Sequence, residues 1–211
     1  MKLKGIEFGK ALGASGVQGF FGEGYWYHRY LRPFGLDFRD ITFVAKTTTL
    51  QLRTGNMPLR DDFTPKERRP RCIYAKPWRG IALNAVGLSG PGAKALFESG
   101  RWQEREKPFF LSFMSVAGSA EERIDELRSF VELFKSHLPH FRAKVGLQIN
   151  YSCPNTGLHL NTLFNEVNEG LSIASQLGIP LMPKFNLLIP VETARDISKH
   201  PSCDTLCISN T

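Results

Sequence analysis

The residues with the clearest chemical potential lie in the segment 148–156, where a cysteine stands between two asparagines at the end of an apolar run. The run 145–149 predicts a buried strand, and Pro154 favours its end. Cys153 follows this strand, with Asn150 and Asn155 on either side. A thiol flanked by two amides could hold a flat polar heterocycle beside an acid or a base. A single cysteine before a turn is more often a small buried residue, so the function of this segment depends on the rest of the chain.

Other polar side chains also stand where short apolar runs end. The runs are 41–45, 80–83, 109–116, 145–149, 180–182 and 205–208. The polar residues at their ends include Lys46, Asn84, Asn150, Lys184 and Asn210. Because short and nearly continuous apolar runs are typical of parallel strands buried on both faces, we predict a parallel sheet that carries these side chains at its C-terminal edge.

Helices are predicted between these strands. Ser119 and Glu122 form a capping box, which predicts a helix from Ser119 that Pro139 ends. A second helix is predicted from about residue 162 to Gly178, and a third from about residue 190. The side chains predicted to face the core are Ile124, Leu127, Val131, Phe134, Leu163, Val167, Leu171, Ala174, Val191, Ala194 and Ile197. Alternating strands and helices favour an α/β fold, either a (β/α) barrel or a doubly wound sheet.

The composition is that of a soluble globular protein, with 211 residues of which 42% are hydrophobic. No apolar run reaches the length of a membrane span, and the N-terminus lacks the apolar region of a signal peptide. The cysteines at 72, 153, 203 and 207 form no CxxC pair and have no zinc-ligand spacing. Reduced thiols, a cytoplasmic location and no metal site are therefore expected.

The net charge is +7, from 27 basic and 20 acidic residues. This charge would suit an anionic ligand, nucleic acid or a membrane surface. The basic residues concentrate in the stretch 66–79, which also contains prolines and is interpreted as a solvated loop. We therefore expect a small-molecule ligand, and neither a nucleic acid nor a membrane as partner.

Five segments together resemble the dihydroorotate dehydrogenase family, over essentially the whole chain. They are Ala14-Ser15-Gly16; Ala45-Lys46-Thr47-Thr48-Thr49 with Gly55-Asn56 and Arg60; Asn84-Ala85-Val86-Gly87-Leu88; Asn150-Tyr151-Ser152-Cys153-Pro154-Asn155; and Lys184 with Asn210-Thr211. The chain departs from the family where Ser89-Gly90 replaces a common Pro-Asn pair. The resemblance implies a (β/α)8 TIM barrel of the FMN-dependent type. Residues 1–211 would form a single partial domain, truncated at its C-terminus and covering about the first six strands.

This resemblance implies FMN-dependent oxidation of dihydroorotate to orotate in de novo pyrimidine biosynthesis. Cys153 would be the base, as in the soluble class 1 enzymes, and FMN would take the hydride. The implied substrate-binding residues are Lys46, Asn84, Asn150, Asn155, Asn210 and Thr211. The implied cofactor-binding residues are Ala14, Ser15, Gly16, Lys46, Thr47, Asn150 and Lys184.

Several alternatives stay open from the sequence. The electron acceptor could be fumarate, a quinone, or a nicotinamide cofactor reached through an electron-transfer partner subunit. A homodimer is implied by the resemblance to class 1. The alternative functions are a flavin-dependent dihydropyrimidine dehydrogenase, whose substrates lack the carboxylate, and an inactive barrel fragment.

Overall fold

A computed structural model of the chain describes residues 1–151 and 160–209. In chain order the strands are β1 (Lys2–Leu3), β2 (Ile6–Glu7), β3 (Ala11–Leu12), β4 (Ile41–Thr42), β5 (Ile73–Lys76), β6 (Ile81–Asn84), β7 (Phe109–Phe113), β8 (Val145–Asn150), β9 (Leu181–Phe185) and β10 (Cys207–Ile208). The helices are α1 (Trp26–Leu31), α2 (Ala93–Glu98), α3 (Ala120–His137), α4 (Leu160–Ala174) and α5 (Val191–Ser198). Short 3₁₀ turns occupy Arg32–Phe34, Pro77–Arg79, Leu138–His140 and Ser175–Leu177.

The centre of the fold is a parallel sheet whose strands follow the order of the chain. β7, β8, β9 and β10 form a four-stranded sheet, each strand beside the next. β3 pairs in parallel with β4, and the residues after β4 join β7 through parallel bridges. The predicted α/β class with a parallel sheet is therefore confirmed, although the pairings in the described part of the chain do not close into a barrel.

The strand predicted at 80–83 exists, but it does not belong to the parallel sheet. β6 pairs antiparallel with β5, and the two strands form a hairpin whose side chains are largely exposed. The prediction of a buried parallel strand at this place is therefore wrong. Its apolar residues belong to an exposed hairpin, and the parallel neighbour of β4 on the N-terminal side is the short strand β3.

Helix α3 has the predicted start and the predicted buried face. The Ser119 hydroxyl accepts a hydrogen bond from the Glu122 backbone N–H at 3.2 Å, and the Glu122 carboxylate accepts one from the Ser119 N–H at 3.0 Å. Both halves of the capping box are thus present. The predicted core residues of this helix are all buried: Ile124, Leu127, Val131 and Phe134.

The other two predicted helices are present with small differences. α4 buries Val167, Leu171 and Ala174, whereas Leu163 is only half-buried. α5 buries Ala194 and Ile197. Val191 was predicted to face the core, but it is 67% exposed because it stands in the first turn, ahead of the stretch of α5 that packs on the protein. No helix in residues 1–151 or 160–209 is both long and apolar enough to cross a bilayer.

The side chains on one face of the parallel strands form two layers. Alternate residues of a strand point to the same face, so positions two apart share a face. The layer nearer the N-terminal ends of the strands is apolar. It contains the buried residues Val44, Phe110 and Met182, with Phe8 packed against them. Two positions further along β7 and β9 the buried residues are polar, namely Ser112 and Lys184. The polar layer therefore lies at the C-terminal edge of the sheet, where the sequence predicted the functional side chains.

Gly146 makes room for the apolar layer, and this predicts the effect of a substitution. A Cβ atom at Gly146 would overlap the ring of Phe110, which is fully buried and packs against the tilted ring of Phe8 with 4.7 Å between ring centroids. Gly146→Ala should lower the free energy of unfolding by about 1–3 kcal/mol, because a packed ring must shift. Urea denaturation measures this loss. Gly118→Ala is the control, since its Cβ would meet only Glu122 at 3.7 Å; an equal loss in both variants would contradict the packing argument.

Candidate active site

A β-bulge brings two consecutive side chains to the C-terminal edge of the sheet. Two parallel bridges define the register between the strand after β4 and β7: Val44 with Phe110, and Thr48 with Phe113. From Val44 to Thr48 the first strand advances four positions, whereas from Phe110 to Phe113 β7 advances three. The first strand therefore contains one extra residue between the bridges. Lys46 and Thr47 lie in the bulge, and both are buried. In a regular strand their side chains would point to opposite faces.

A chain of hydrogen bonds crosses the ends of the parallel strands. Thr47 Oγ1 lies 2.9 Å from Ser15 Oγ and 2.9 Å from Ser112 Oγ. Ser112 Oγ donates to Gln148 Oε1 at 3.0 Å, and Asn150 Nδ2 donates to Thr47 Oγ1 at 3.5 Å. These contacts connect the segment after β3 with β4, β7 and β8. They hold the hydroxyl and amide groups in fixed positions. A ligand with several N–H and C=O groups could form hydrogen bonds with these groups.

Lys46 is a buried cation at this edge. Its side chain is 9% exposed, its Nζ donates to the backbone carbonyl of Ser89, and Nζ lies 4.5 Å from the centroid of the Phe20 ring. Burial lowers the pKa of Lys46 to about 8, against the opposing effects of Glu23 and Cys72. A nearby anion would favour the charged form of this lysine.

Lys184 is a second buried cation, on the strand next to β8. It pairs in register with Asn150 of β8 and Cys207 of β10, and it is 7% exposed. Burial lowers the pKa of Lys184, and Cys207 opposes this shift. Within the described ranges, no carboxylate lies within salt-bridge distance of Lys46 or Lys184. Buried cations usually have a counter-ion, so this pair indicates a site for an anionic ligand.

The segment 14–16 approaches Lys46 through its backbone. Gly16 has a φ of +87°, which favours glycine, and a Cβ added there would lie 3.4 Å from Lys46 Cγ. The Tyr25 hydroxyl donates to the Gly16 carbonyl at 2.8 Å and fixes the loop. Ala14 is exposed beside it. The exposed Ala14 presents only a methyl group, so a flat ligand can approach the backbone there.

A buried ion pair connects helices α3 and α4. Arg123 of α3 donates to both carboxylate oxygens of Glu166 of α4, at 2.8 and 2.7 Å. The same guanidinium contacts two carbonyls of the β7–α3 connection at 3.3 and 3.2 Å. Tyr151, next to Glu166, stacks on Phe185 with 5.8 Å between ring centroids, and burial raises the pKa of its phenol. Tyr151 directly follows β8, so this ring contact lies at the C-terminal end of that strand.

The predicted site residues are only partly covered by the structure. It brings together Ser15, Gly16, Lys46, Thr47 and Asn150, with Lys184 on the strand beside Asn150. Asn84 is exposed at the end of β6, five positions before Ser89, whose carbonyl contacts Lys46. The remaining predictions lie outside the described residues: Cys153, Asn155, Asn210 and Thr211.

Two residues of the site were not predicted. Ser112 and Gln148 belong to the polar chain, and each is buried between apolar neighbours in its strand. A single polar residue in a buried strand was the available signal, since such groups need buried partners. Within residues 1–151 and 160–209, no cluster of three or more His, Cys, Asp or Glu side chains could hold a metal ion.

The pKa of Lys46 predicts a pH dependence of stability. Because the folded-state pKa of about 8 lies below the ordinary 10.5, the unfolded state binds more protons between these values. The contribution of Lys46 to the free energy of unfolding should therefore rise with pH across this window, by about 3 kcal/mol at most, and below pH 8 its burial as a cation is fully unfavourable. Lys46→Met should lack the rise, whereas Lys94→Met, at an exposed lysine, should keep it. Urea denaturation as a function of pH tests this; parallel profiles for wild type and Lys46→Met would contradict it.

Two curated proteins are similar to this chain in sequence. No family model matches the chain. The catalytic subunit of dihydroorotate dehydrogenase B (NAD(+)) from Desulforudis audaxviator is 34% identical over 146 residues, which is 68% of this chain and 38% of that protein. The protein of the same name from Saccharolobus solfataricus is 33% identical over 103 residues, 47% of this chain and 30% of that protein. The chain thus spans about a third of the length of the curated relatives that it matches. These matches confirm the resemblance of this chain to the dihydroorotate dehydrogenase family.

Proposed function

We propose that this chain carries the substrate side of a dihydroorotate dehydrogenase, which oxidises dihydroorotate to orotate with FMN as cofactor. The observation that carries the proposal is the pair of buried lysines, Lys46 and Lys184, beside the polar chain at the C-terminal edge of the parallel sheet. Dihydroorotate has a carboxylate and alternating N–H and C=O groups. Lysine ammonium groups suit the charge of such a ligand, and amides and hydroxyls suit its ring edge.

The same observations support a TIM barrel as the architecture. The parallel strands follow chain order, an apolar layer lies inside the sheet, and the polar side chains stand at the C-terminal ends of the strands. Active sites of TIM barrels lie at this end. We place residues 1–211 in one such domain, in which β3, β4, β7, β8, β9 and β10 are successive barrel strands.

The residues present fit a flavin. A flat ring can approach the backbone at the exposed Ala14, and Ser15 adds a hydroxyl beside Thr47. When bound, FMN supplies hydride acceptance. Lys184 would hold a positive charge beside the cofactor and favour its reduced, more negative form.

The remaining roles concern the substrate. Cys153 would take a proton from a ring carbon of dihydroorotate onto its thiolate sulfur. Asn150 and Asn155 would hold the ring edge in the plane needed for this transfer, with Asn84, Asn210 and Thr211 as further contacts. The ammonium group of Lys46 would contact the negatively charged part of dihydroorotate.

The names of the similar proteins bear on the electron acceptor. Both are called catalytic subunits and both carry NAD(+) in their names. We therefore propose that a nicotinamide cofactor, reached through a partner subunit, is the acceptor for this chain too. A cytoplasmic homodimer as the catalytic unit remains part of the proposal.

Lys184→Ala tests the assignment to a flavin enzyme. The purified wild-type protein should show flavin absorption, lose it on anaerobic addition of dihydroorotate, and release orotate. Lys184→Ala should hold flavin more weakly or lower its reduction potential, because a charge beside the reduced ring is lost. Lys199→Ala, at an exposed lysine, is the matched control. Loss of the flavin absorption with dihydrouracil but not with dihydroorotate would contradict the proposal that dihydroorotate is the substrate. Unchanged flavin binding and potential in Lys184→Ala would contradict the role of this lysine.

A further inference from the structure

The β5–β6 hairpin exposes bulky apolar side chains on both of its faces. In its antiparallel register Tyr74 stands opposite Leu83, and Lys76 stands opposite Ile81, so these four residues share one face. Leu83 is 62% exposed, and Tyr74 and Ile81 are exposed as well. Ile73, on the other face, is also exposed. No neighbouring element in the described part of the chain covers this hairpin.

The tip of the hairpin carries a tryptophan between basic residues. Trp78 lies in the 3₁₀ turn Pro77–Arg79 and is 81% exposed. Lys76 precedes it, with its Nζ 5.3 Å from the centroid of the Tyr74 ring, and Arg79 follows it. Tryptophan and tyrosine beside long basic side chains are typical of the water–lipid interface, since each has an apolar body and a polar end.

The charge around the hairpin decides which partner fits it. The stretch 66–79 has six basic residues and one acidic residue, a net charge of +5. Two copies of this surface would repel each other, so the charge favours an anionic partner over self-association. Exposed apolar side chains beside this positive charge fit a bilayer surface, which combines an apolar phase with anionic headgroups. Ile81 and Leu83 add aliphatic surface, whereas single-stranded nucleic acid stacks its bases on aromatic rings.

We propose that the β5–β6 hairpin binds the surface of a bilayer that contains anionic lipid. The Trp78 ring enters the headgroup region, together with the apolar face formed by Tyr74, Ile81 and Leu83. The basic residues of 66–79 remain among the lipid headgroups and attract the negative surface. The contact is peripheral, and it departs from the expectation from the sequence that a membrane is not a partner. It goes beyond the proposed dehydrogenase activity and does not depend on it.

Vesicle co-sedimentation of the intact protein tests this proposal. We expect binding to vesicles of phosphatidylcholine with phosphatidylglycerol, much weaker binding to phosphatidylcholine alone, and a decrease with added salt. Trp78→Ser should weaken binding by at least about tenfold, from the loss of apolar contact. Arg79→Ala should weaken it by about fivefold, the share of one basic side chain. Val191→Ser, at another exposed apolar residue, should bind like the wild type.

A spectroscopic measurement separates lipid contact from a loss of folding. On binding to anionic vesicles the tryptophan emission should shift to shorter wavelength in the wild type, and the shift should disappear in Trp78→Phe. Absence of wild-type binding to anionic vesicles would overturn the proposal, as would equal binding of Trp78→Ser and Val191→Ser. Trp78-dependent self-association in light scattering, or Trp78-dependent binding of single-stranded RNA, without vesicle binding would overturn it in favour of a copy–copy or nucleic-acid surface.

Discussion

Cys153→Ala is expected to slow the reduction of bound flavin by dihydroorotate by about 10²-fold or more, the usual effect of losing a general base. The reason is that Cys153 is the proposed proton acceptor, so its replacement removes the base from the proposed reaction. Stopped-flow absorption under anaerobic conditions measures the reduction rate. Flavin content should be unchanged, because the proposed flavin contacts lie at Ser15, Gly16 and Lys184.

Cys203→Ala is the matched control for this prediction. Burial raises the pKa of Cys203 to about 11, so this thiol is protonated at neutral pH and cannot act as a base. Its replacement should leave the reduction rate at the wild-type value. Flavin reduction by Cys153→Ala at the wild-type rate would show that another group takes the proton.

Arg123→Met should be the most destabilising of the substitutions considered, with a loss of about 3–5 kcal/mol in the free energy of unfolding. Arg123 and Glu166 are both buried and bond each other in a bidentate pair. Removing the cation leaves a buried carboxylate without a counter-ion. Glu166 must then either take up a proton or stay charged without water or a partner, and both cost free energy. Urea or guanidinium denaturation at neutral pH measures the loss.

Arg128, an arginine in exposed ion pairs on the same helix, provides the control. It contacts Asp125 and Glu169 at 4.0 and 3.9 Å and is about half exposed, so Arg128→Met should cost less than about 1 kcal/mol. The double variant Arg123→Met/Glu166→Leu should recover much of the stability, since both charges are removed together. A loss of similar size in Arg123→Met and Arg128→Met would show that the buried pair is not the cause.

Local signals in the sequence were sufficient for several elements. The Ser119–Glu122 capping box depends on residues three positions apart and therefore predicted the start of α3 correctly. The apolar run before Asn150 likewise predicted β8. By contrast, the run at 80–83 has the composition of a buried strand, and composition alone does not show that it pairs with 73–76 and faces solvent. The short strand β3 offered too few residues for a period to be recognised.

The candidate site was predicted in its residue types and only partly in its geometry. Lys46 and Lys184 could be selected because each follows an apolar run. The bulge that turns both Lys46 and Thr47 into the site is a property of strand register, which depends on contacts with a segment more than 60 residues away. Ser112 and Gln148 were missed for the same reason, since their shared layer is visible only once the strands are aligned.

The chain-order arrangement of the parallel strands also bears on synthesis at the ribosome. β4 adds beside β3, and β7 to β10 each add beside the strand made before it. Among the strands in residues 1–151 and 160–209, none of this sheet must wait for a later one to be inserted between it and its partner. The nascent chain can therefore extend the sheet one strand and helix at a time, so each emerging apolar strand finds its partner already in place and spends little time exposed to aggregation.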